Sequence, residues 1–88
     1  MKKRVKAAPG DDWFGSIDGE FFEVELRALT SPPDGDIIGY RVVCRGTDDF
    51  LMIKDFGADY HWVARDMYRF ISDGTSIKRL KANGFEVF

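Results

Sequence analysis

The sequence predicts an α+β fold, in which an antiparallel sheet of four or five strands is covered on one face by two helices. Two observations lead to this fold class. Short strand-like patterns separated by turn residues extend to about residue 54, and helical periodicity begins only after them. Strands followed by helices, here in the order β-β-β-β-α-α-β, are typical of α+β proteins with helices on one face of the sheet. The length of 88 residues predicts one domain, which we place at residues 13–88.

A charged arm precedes this domain at residues 1–12. It opens with the basic segment MKKRVK and contains Pro9 and Gly10, which interrupt regular structure. We therefore expect a flexible N-terminal arm, although Val5 could add a short strand at the edge of the sheet.

The first predicted strands, residues 13–17 and 20–29, form a hairpin around Asp18 and Gly19. An Asp-Gly pair between apolar segments favours a type I′ turn, because both central residues of that turn need positive φ. The two-residue loop fixes a register that places Trp13 opposite Val24. Apolar and charged side chains then separate onto two faces, with Trp13, Ile17, Phe22, Val24 and Leu26 on one and Glu23, Glu25 and Arg27 on the other.

Two further strands follow a Pro-Pro loop. In the third, residues 37–45, alternation places Ile38, Tyr40, Val42 and Cys44 on one face and Ile37 and Val43 on the other. The fourth, residues 50–54, contains four consecutive apolar residues, so its pattern leaves the inward pair open between Phe50 with Met52 and Leu51 with Ile53.

Residues 58–72 carry the clearest helical pattern, and Asp73-Gly74 ends it. At about 100° per residue, one apolar stripe collects several large side chains. We expect this stripe to face the sheet; it contains Tyr60, Val63, Met67, Phe70 and Ile71.

A second, short helix follows Thr75 or Ser76, either of which can cap it. Leu80, together with Ile77, forms its inner side. Asn83-Gly84 stops the helix, and Phe85 is placed to fold back on the last turn, as in Schellman ends.

Residues that carry catalysis or bind metals are scarce in this chain. The single Cys44 excludes an internal disulfide, and with the single His61 it cannot build a zinc site. We expect Cys44 to be buried and His61 to be exposed on the first helix. The sequence contains no phosphate-binding glycine motif and no recognisable catalytic set. It therefore predicts a protein that is not an enzyme and that holds no metal or cofactor.

Charge and hydropathy indicate the compartment. The longest apolar run is far below the roughly 18 residues that a membrane helix needs, and the basic start of the chain is not followed by the apolar segment of a signal peptide. A net charge of −2 disfavours a general nucleic-acid binder. We expect a cytoplasmic protein that does not associate with membranes.

The sheet has more apolar faces than two short helices can cover. The hairpin register places Phe14 and Phe21 on the face away from the core. The fourth strand adds to that face either Leu51 and Ile53 or Phe50 and Met52, of which we take Phe50 and Met52 as candidate binding residues. Exposed apolar patches of this kind usually mark protein interfaces.

The first helix gives a second indication of binding. Trp62 lies away from the apolar stripe, in line with Arg65 and Arg69, and Trp with Arg is typical of interface anchors. We therefore expect a small protein-interaction domain that binds a protein partner or, as a homodimer, a second copy of itself. Small acidic proteins without a catalytic set occur among phage and mobile-element products that inhibit host machinery, and an inhibitor or adaptor of that kind fits this composition.

Two other functions stay open. Residues 75–85 resemble the recognition helix and exit of a winged helix-turn-helix, in which Lys78, Arg79 and Lys81 would contact phosphates. A nucleic-acid-binding domain is thus the main alternative, although a sheet precedes this helix and no hairpin wing follows it. The third is a small-ligand pocket near Tyr40, Tyr60 and His61.

Overall fold

A computed structural model describes residues 1–6, 21–46, 51–74 and 77–88, apart from the side chains at positions 6, 21, 77 and 78. A 3-10 turn, Ala58–Tyr60, leads into the first helix. Neighbouring strands are antiparallel, and their order in the sheet follows the chain. The α+β class and the order of its elements are confirmed. The strands are β1 (Lys2–Lys6), β2 (Phe21–Ser31), β3 (Asp36–Arg45), β4 (Leu51–Gly57) and β5 (Glu86–Val87), and the helices are α1 (His61–Ser72) and α2 (Ile77–Ala82).

The first strand differs from the predicted one. Lys2–Lys6, expected in a flexible arm, pairs with β2, and its Val5 is buried in the core. The expected edge strand at Val5 is thus present, and it extends over residues that we expected in the arm. Trp13, the predicted partner of Val24, lies outside the described residues; Val24 pairs with Lys3 of β1 and with Cys44 of β3. The predicted turn at residues 18–19 lies outside the described residues.

One face of the sheet forms the core together with the helices. Alternate residues of β2 and β3 point to this face, as their sequence patterns predict. Ile71 of α1 and Leu80 of α2 pack against it from the helical layer. The buried cluster consists of Val5, Phe22, Val24, Val42, Cys44, Met52, Ile71, Leu80 and Phe85.

The position of Met52 resolves the open parity of β4. Met52 lies opposite Cys44 and is fully buried. Its predicted place on an exposed, partner-binding face is therefore wrong. The cause is the register of β3 with β4, which aligns Met52 with the core residues of the neighbouring strand and sends Leu51 and Ile53 to the other face.

The extent of the first helix agrees with prediction, and so does the packing of Met67 and Ile71 against the sheet, but the rest of the predicted stripe is not buried. Ala64 and Ile71 are fully buried, whereas Tyr60, Val63 and Phe70 are exposed. Residues seven apart lie almost in line along a helix, so Ala64 and Ile71 define the contact with the sheet. The small Ala64 side chain allows close approach, and this orientation carries Val63 and Phe70 sideways to the surface.

α2 ends in the Schellman arrangement that its sequence predicts. Gly84 has a φ of 88°, and its N–H donates to the carbonyl of Lys81 at 3.1 Å. The N–H of Phe85 donates to the carbonyl of Leu80, also at 3.1 Å. Phe85 consequently folds back into the core beside Leu80, which fixes the end of α2 against the sheet.

Candidate functional site

The outward face of α1 carries Trp62. This residue lies two positions before Ala64, or about 200° around the helix, so its side chain points away from the sheet. As predicted, it is exposed, to 68%. The Arg65 guanidinium lies 6.0 Å from the Trp62 ring centre. His61, expected to be exposed, is half-buried, with its ring centre 5.1 Å from those of Tyr40 and Trp62.

A groove of about 320 Å³ runs beside α1, on the flank that the helix orientation leaves uncovered. Val63, 48% exposed, and the partly exposed Phe70 lie one turn either side of the half-buried Met67. Asp66 and Asn83 complete the lining, the latter from the end of α2. Apolar side chains at this spacing form a continuous strip along a helix. The groove therefore combines an apolar floor with a polar rim.

One basic residue of α2 borders this groove. The Arg79 guanidinium lies 6.0 Å from the Phe70 ring centre, and Arg79 is exposed. Lys81 is also exposed, but it lies about 200° around α2 from Arg79, on the other flank of that helix. Arg79 therefore places a positive charge at this border of the groove.

The tip of the β2–β3 hairpin forms a second exposed apolar surface, which the sequence analysis did not identify. The pairing of β3 with β4 ends at Gly39 and Gly57, whereas β2 and β3 remain paired as far as Ser31 and Asp36. The tip thus extends beyond β4. Ile38, next to the turn, is 60% exposed. Alternation predicts Ile38 on the core side of β3, but the pairing with β4 ends at Gly39, and Ile38 is exposed among the described residues.

The second face of the sheet was expected to expose aromatic and aliphatic residues mixed with charged ones, and the charged residues of its described part form a network of ion pairs. Glu25, only 8% exposed, accepts hydrogen bonds from Arg27 and, at 3.1 Å, from Arg45. Lys2 Nζ lies 3.8 Å from the same carboxylate, and Arg45 also donates to Glu23 at 3.3 Å. Of the apolar residues described on this face, Val43 is buried, and Leu51 and Ile53 are half-buried rather than exposed.

The carboxylates of Glu25 and Asp55 on this face are held in their ionised form. Burial alone would raise the pKa of Glu25, but hydrogen bonds from Arg27 and Arg45 and the positive charges nearby outweigh it and lower the pKa. Arg41 donates two hydrogen bonds to Asp55, at 2.7 and 2.9 Å. These bonds lower the pKa of Asp55 and raise that of Arg41. The network stabilises the sheet rather than supplying an acid or a base at neutral pH.

The predicted site residues lie in different parts of the molecule, and some lie outside the described residues. Phe14 and Phe50 lie outside the described residues, as do the side chains of Phe21 and Lys78. Met52 is in the core. The others lie on the helical layer, where Trp62, Arg69, Arg79 and Lys81 are exposed and Arg65 is half-buried.

The described residues supply little reactive chemistry. Cys44 is fully buried, and burial raises the pKa of its thiol to about 12. Within the described ranges, no three His, Cys, Asp or Glu side chains come together in a way that could hold a metal ion. None of the helices there is long and apolar enough to cross a membrane.

Comparison with known proteins adds no relative to this description. The sequence matches no protein-family model, and neither the curated proteins nor the solved structures give a significant match.

Proposed function

We propose that this protein is a small, non-enzymatic interaction domain that docks a partner protein on the outward face of α1. The observation that carries the proposal is Trp62, a large aromatic side chain left 68% exposed on a helix that is otherwise anchored in the core. An adaptor or an inhibitor, of the kind made by phages and mobile elements, needs only such a surface.

The surroundings of Trp62 suit an anchor. Trp and Arg are enriched among the residues that dominate binding energy, and Arg65 lies against the Trp62 ring. The buried side chains of Ala64 and Ile71 hold the helix in place. A rigid anchor loses little conformational entropy on binding, so more of its contact area contributes to affinity.

The remaining chemistry supports a binding role over catalysis. The thiol of Cys44 is enclosed in the core. The imidazole of His61 packs between the rings of Tyr40 and Trp62. Neither group is presented to a substrate, which fits a surface that acts by contact alone.

The test is capture of the partner from the native host with the tagged chain, followed by titration calorimetry with the purified partner. Trp62→Ala is expected to weaken binding by at least about 30-fold, because anchor residues are worth about 2 kcal/mol or more. Phe88→Ala is the matched control, since Phe88 is an aromatic residue of similar exposure, 66%, at the end of the chain. It should bind as the unmodified chain does.

Both variants should melt at the temperature of the unmodified chain, because both side chains are largely exposed. Equal binding by Trp62→Ala and the unmodified chain would overturn the proposal. So would binding of DNA that weakens steeply with salt and is lost in Arg79→Glu, because that result would support nucleic-acid binding instead.

A further inference from the structure

We propose that the groove beside α1 receives the tip of the β2–β3 hairpin from a second copy of this chain. The groove is defined by Val63, Met67 and Phe70, and the tip by residues 34–38. This contact is separate from the proposed partner surface, because Trp62 lies about 100° around α1 from Val63.

The tip has the shape of an inserting element. It consists of two paired strands that continue past the end of β4, and its turn is closed by a hydrogen bond of 2.9 Å from Gly35 N–H to the carbonyl of Ser31. Strands lie about 4.8 Å apart, so a two-stranded tip is only about 10 Å wide. Ile37 and Ile38 are exposed on it. A narrow, preformed and apolar projection fits a groove rather than a flat surface.

The charges of the two surfaces are complementary. The tip carries Asp34 and Asp36, both exposed, beside its isoleucines. Arg79 is exposed at the α2 border of the groove, beside Phe70. Asp66, the acidic residue among the groove lining, lies on the opposite side, towards Trp62. An acidic and apolar tip therefore meets an apolar floor with a basic side chain at one border.

A second copy is the occupant that these features favour, because both surfaces belong to one chain. If each copy inserts its tip into the groove of the other, the contact is repeated around a two-fold axis and the assembly closes as a dimer. Two linked contacts reinforce each other, since formation of the first makes the second intramolecular. Such a dimer leaves both Trp62 side chains available.

The test is a charge exchange followed by sedimentation equilibrium. One variant, Asp34→Lys with Asp36→Lys, makes the tip basic. The other, Arg79→Glu, makes the border of the groove acidic. Each variant alone should dimerise at least about tenfold more weakly than the unmodified chain. Mixed in equal amounts, they should form a heterodimer, because each acidic surface then meets a basic one.

Two controls keep the test specific. Asp59→Lys with Glu86→Lys changes the formal charge as the tip variant does, at exposed positions outside both surfaces, and should leave dimerisation unchanged. Trp62→Ala should also leave it unchanged, so the failure of this proposal can be told from failure of the proposed function. Ile38→Ser, which leaves every charge in place, should weaken the dimer even if a charge variant fails to fold.

The proposal is overturned if the unmodified chain stays monomeric at about 1 mM. It is also overturned if the control charge changes weaken the dimer equally, if Trp62→Ala abolishes it, or if the mixed variants show no heterodimer.

Discussion

The orientation of α1 can be tested by comparing Ile71→Ala with Val63→Ala. The sequence pattern places both residues in the apolar stripe of the helix, whereas the structure buries Ile71 fully and leaves Val63 48% exposed. Truncation of a buried Ile leaves a cavity and costs about 2–5 kcal/mol. Removing the two methyl groups of a half-exposed Val costs about 0.8 kcal/mol, and the higher helix propensity of Ala offsets about 0.5 kcal/mol of that.

The two variants should therefore differ widely in thermal stability. For 88 residues, the entropy of unfolding is about 0.18 kcal/mol/K. A loss of about 3 kcal/mol lowers Tm by about 16 °C for Ile71→Ala, against about 2 °C for Val63→Ala. Circular dichroism melting curves measure both shifts, and urea titrations give the free energies independently. Similar Tm losses for the two variants would show that α1 buries Val63 as well as Ile71, as the apolar stripe in its sequence predicts. The groove that Val63 lines would then not exist.

Three other properties follow from the described contacts. Because hydrogen bonds from Arg41 lower the pKa of Asp55 below 3.8, their stabilisation is present above that pH and is lost as pH falls through the lowered value. Urea unfolding from pH 5 to pH 2 should show a steeper loss for the unmodified chain than for Asp55→Asn, and parallel losses would contradict the role of this pair. Gly39→Ala should destabilise the chain by about 1–3 kcal/mol, since its Cβ would lie 2.7 Å from the carbonyl oxygen of Phe56; an unchanged midpoint in urea would refute this crowding. Cys44 should react with a thiol reagent at pH 8 only after unfolding, because its pKa is raised to about 12; rapid labelling of the native protein would count against its burial.

The sequence predicted those features of the structure that depend on interactions between residues close together in the chain. The end of α2 depends on Gly84, which alone tolerates the required φ without strain, and on Phe85 two positions after the helix. The exposure of Trp62 was also predictable, because Trp62 lies almost opposite the buried side of α1. Such a residue remains exposed to solvent even if the helix is rotated moderately about its axis. In both cases a few neighbouring residues determine the outcome.

Predictions that required knowledge of distant partners were wrong. The basic segment that contains Val5 pairs with β2, and a turn motif elsewhere in the sequence carries no information about that pairing. The rotation of α1 depends on how closely Ala64 approaches the sheet, which hydropathy does not encode. Ile38 is exposed because β4 is shorter than β3. The hydropathy pattern of one strand does not show how far the neighbouring strand extends.

The outer strand β1 also bears on how this protein behaves when it is concentrated. Its five residues include Lys2, Lys3, Arg4 and Lys6. If β1 of a second molecule paired with the outer edge of this β1, like charges would lie about 5 Å apart. The charges of β1 therefore oppose edge-to-edge pairing of sheets, which is the first step of fibril formation. Acetylation of these lysines, or neutralisation by a polyanion, would remove that barrier, and solubility would then depend on the rest of the surface.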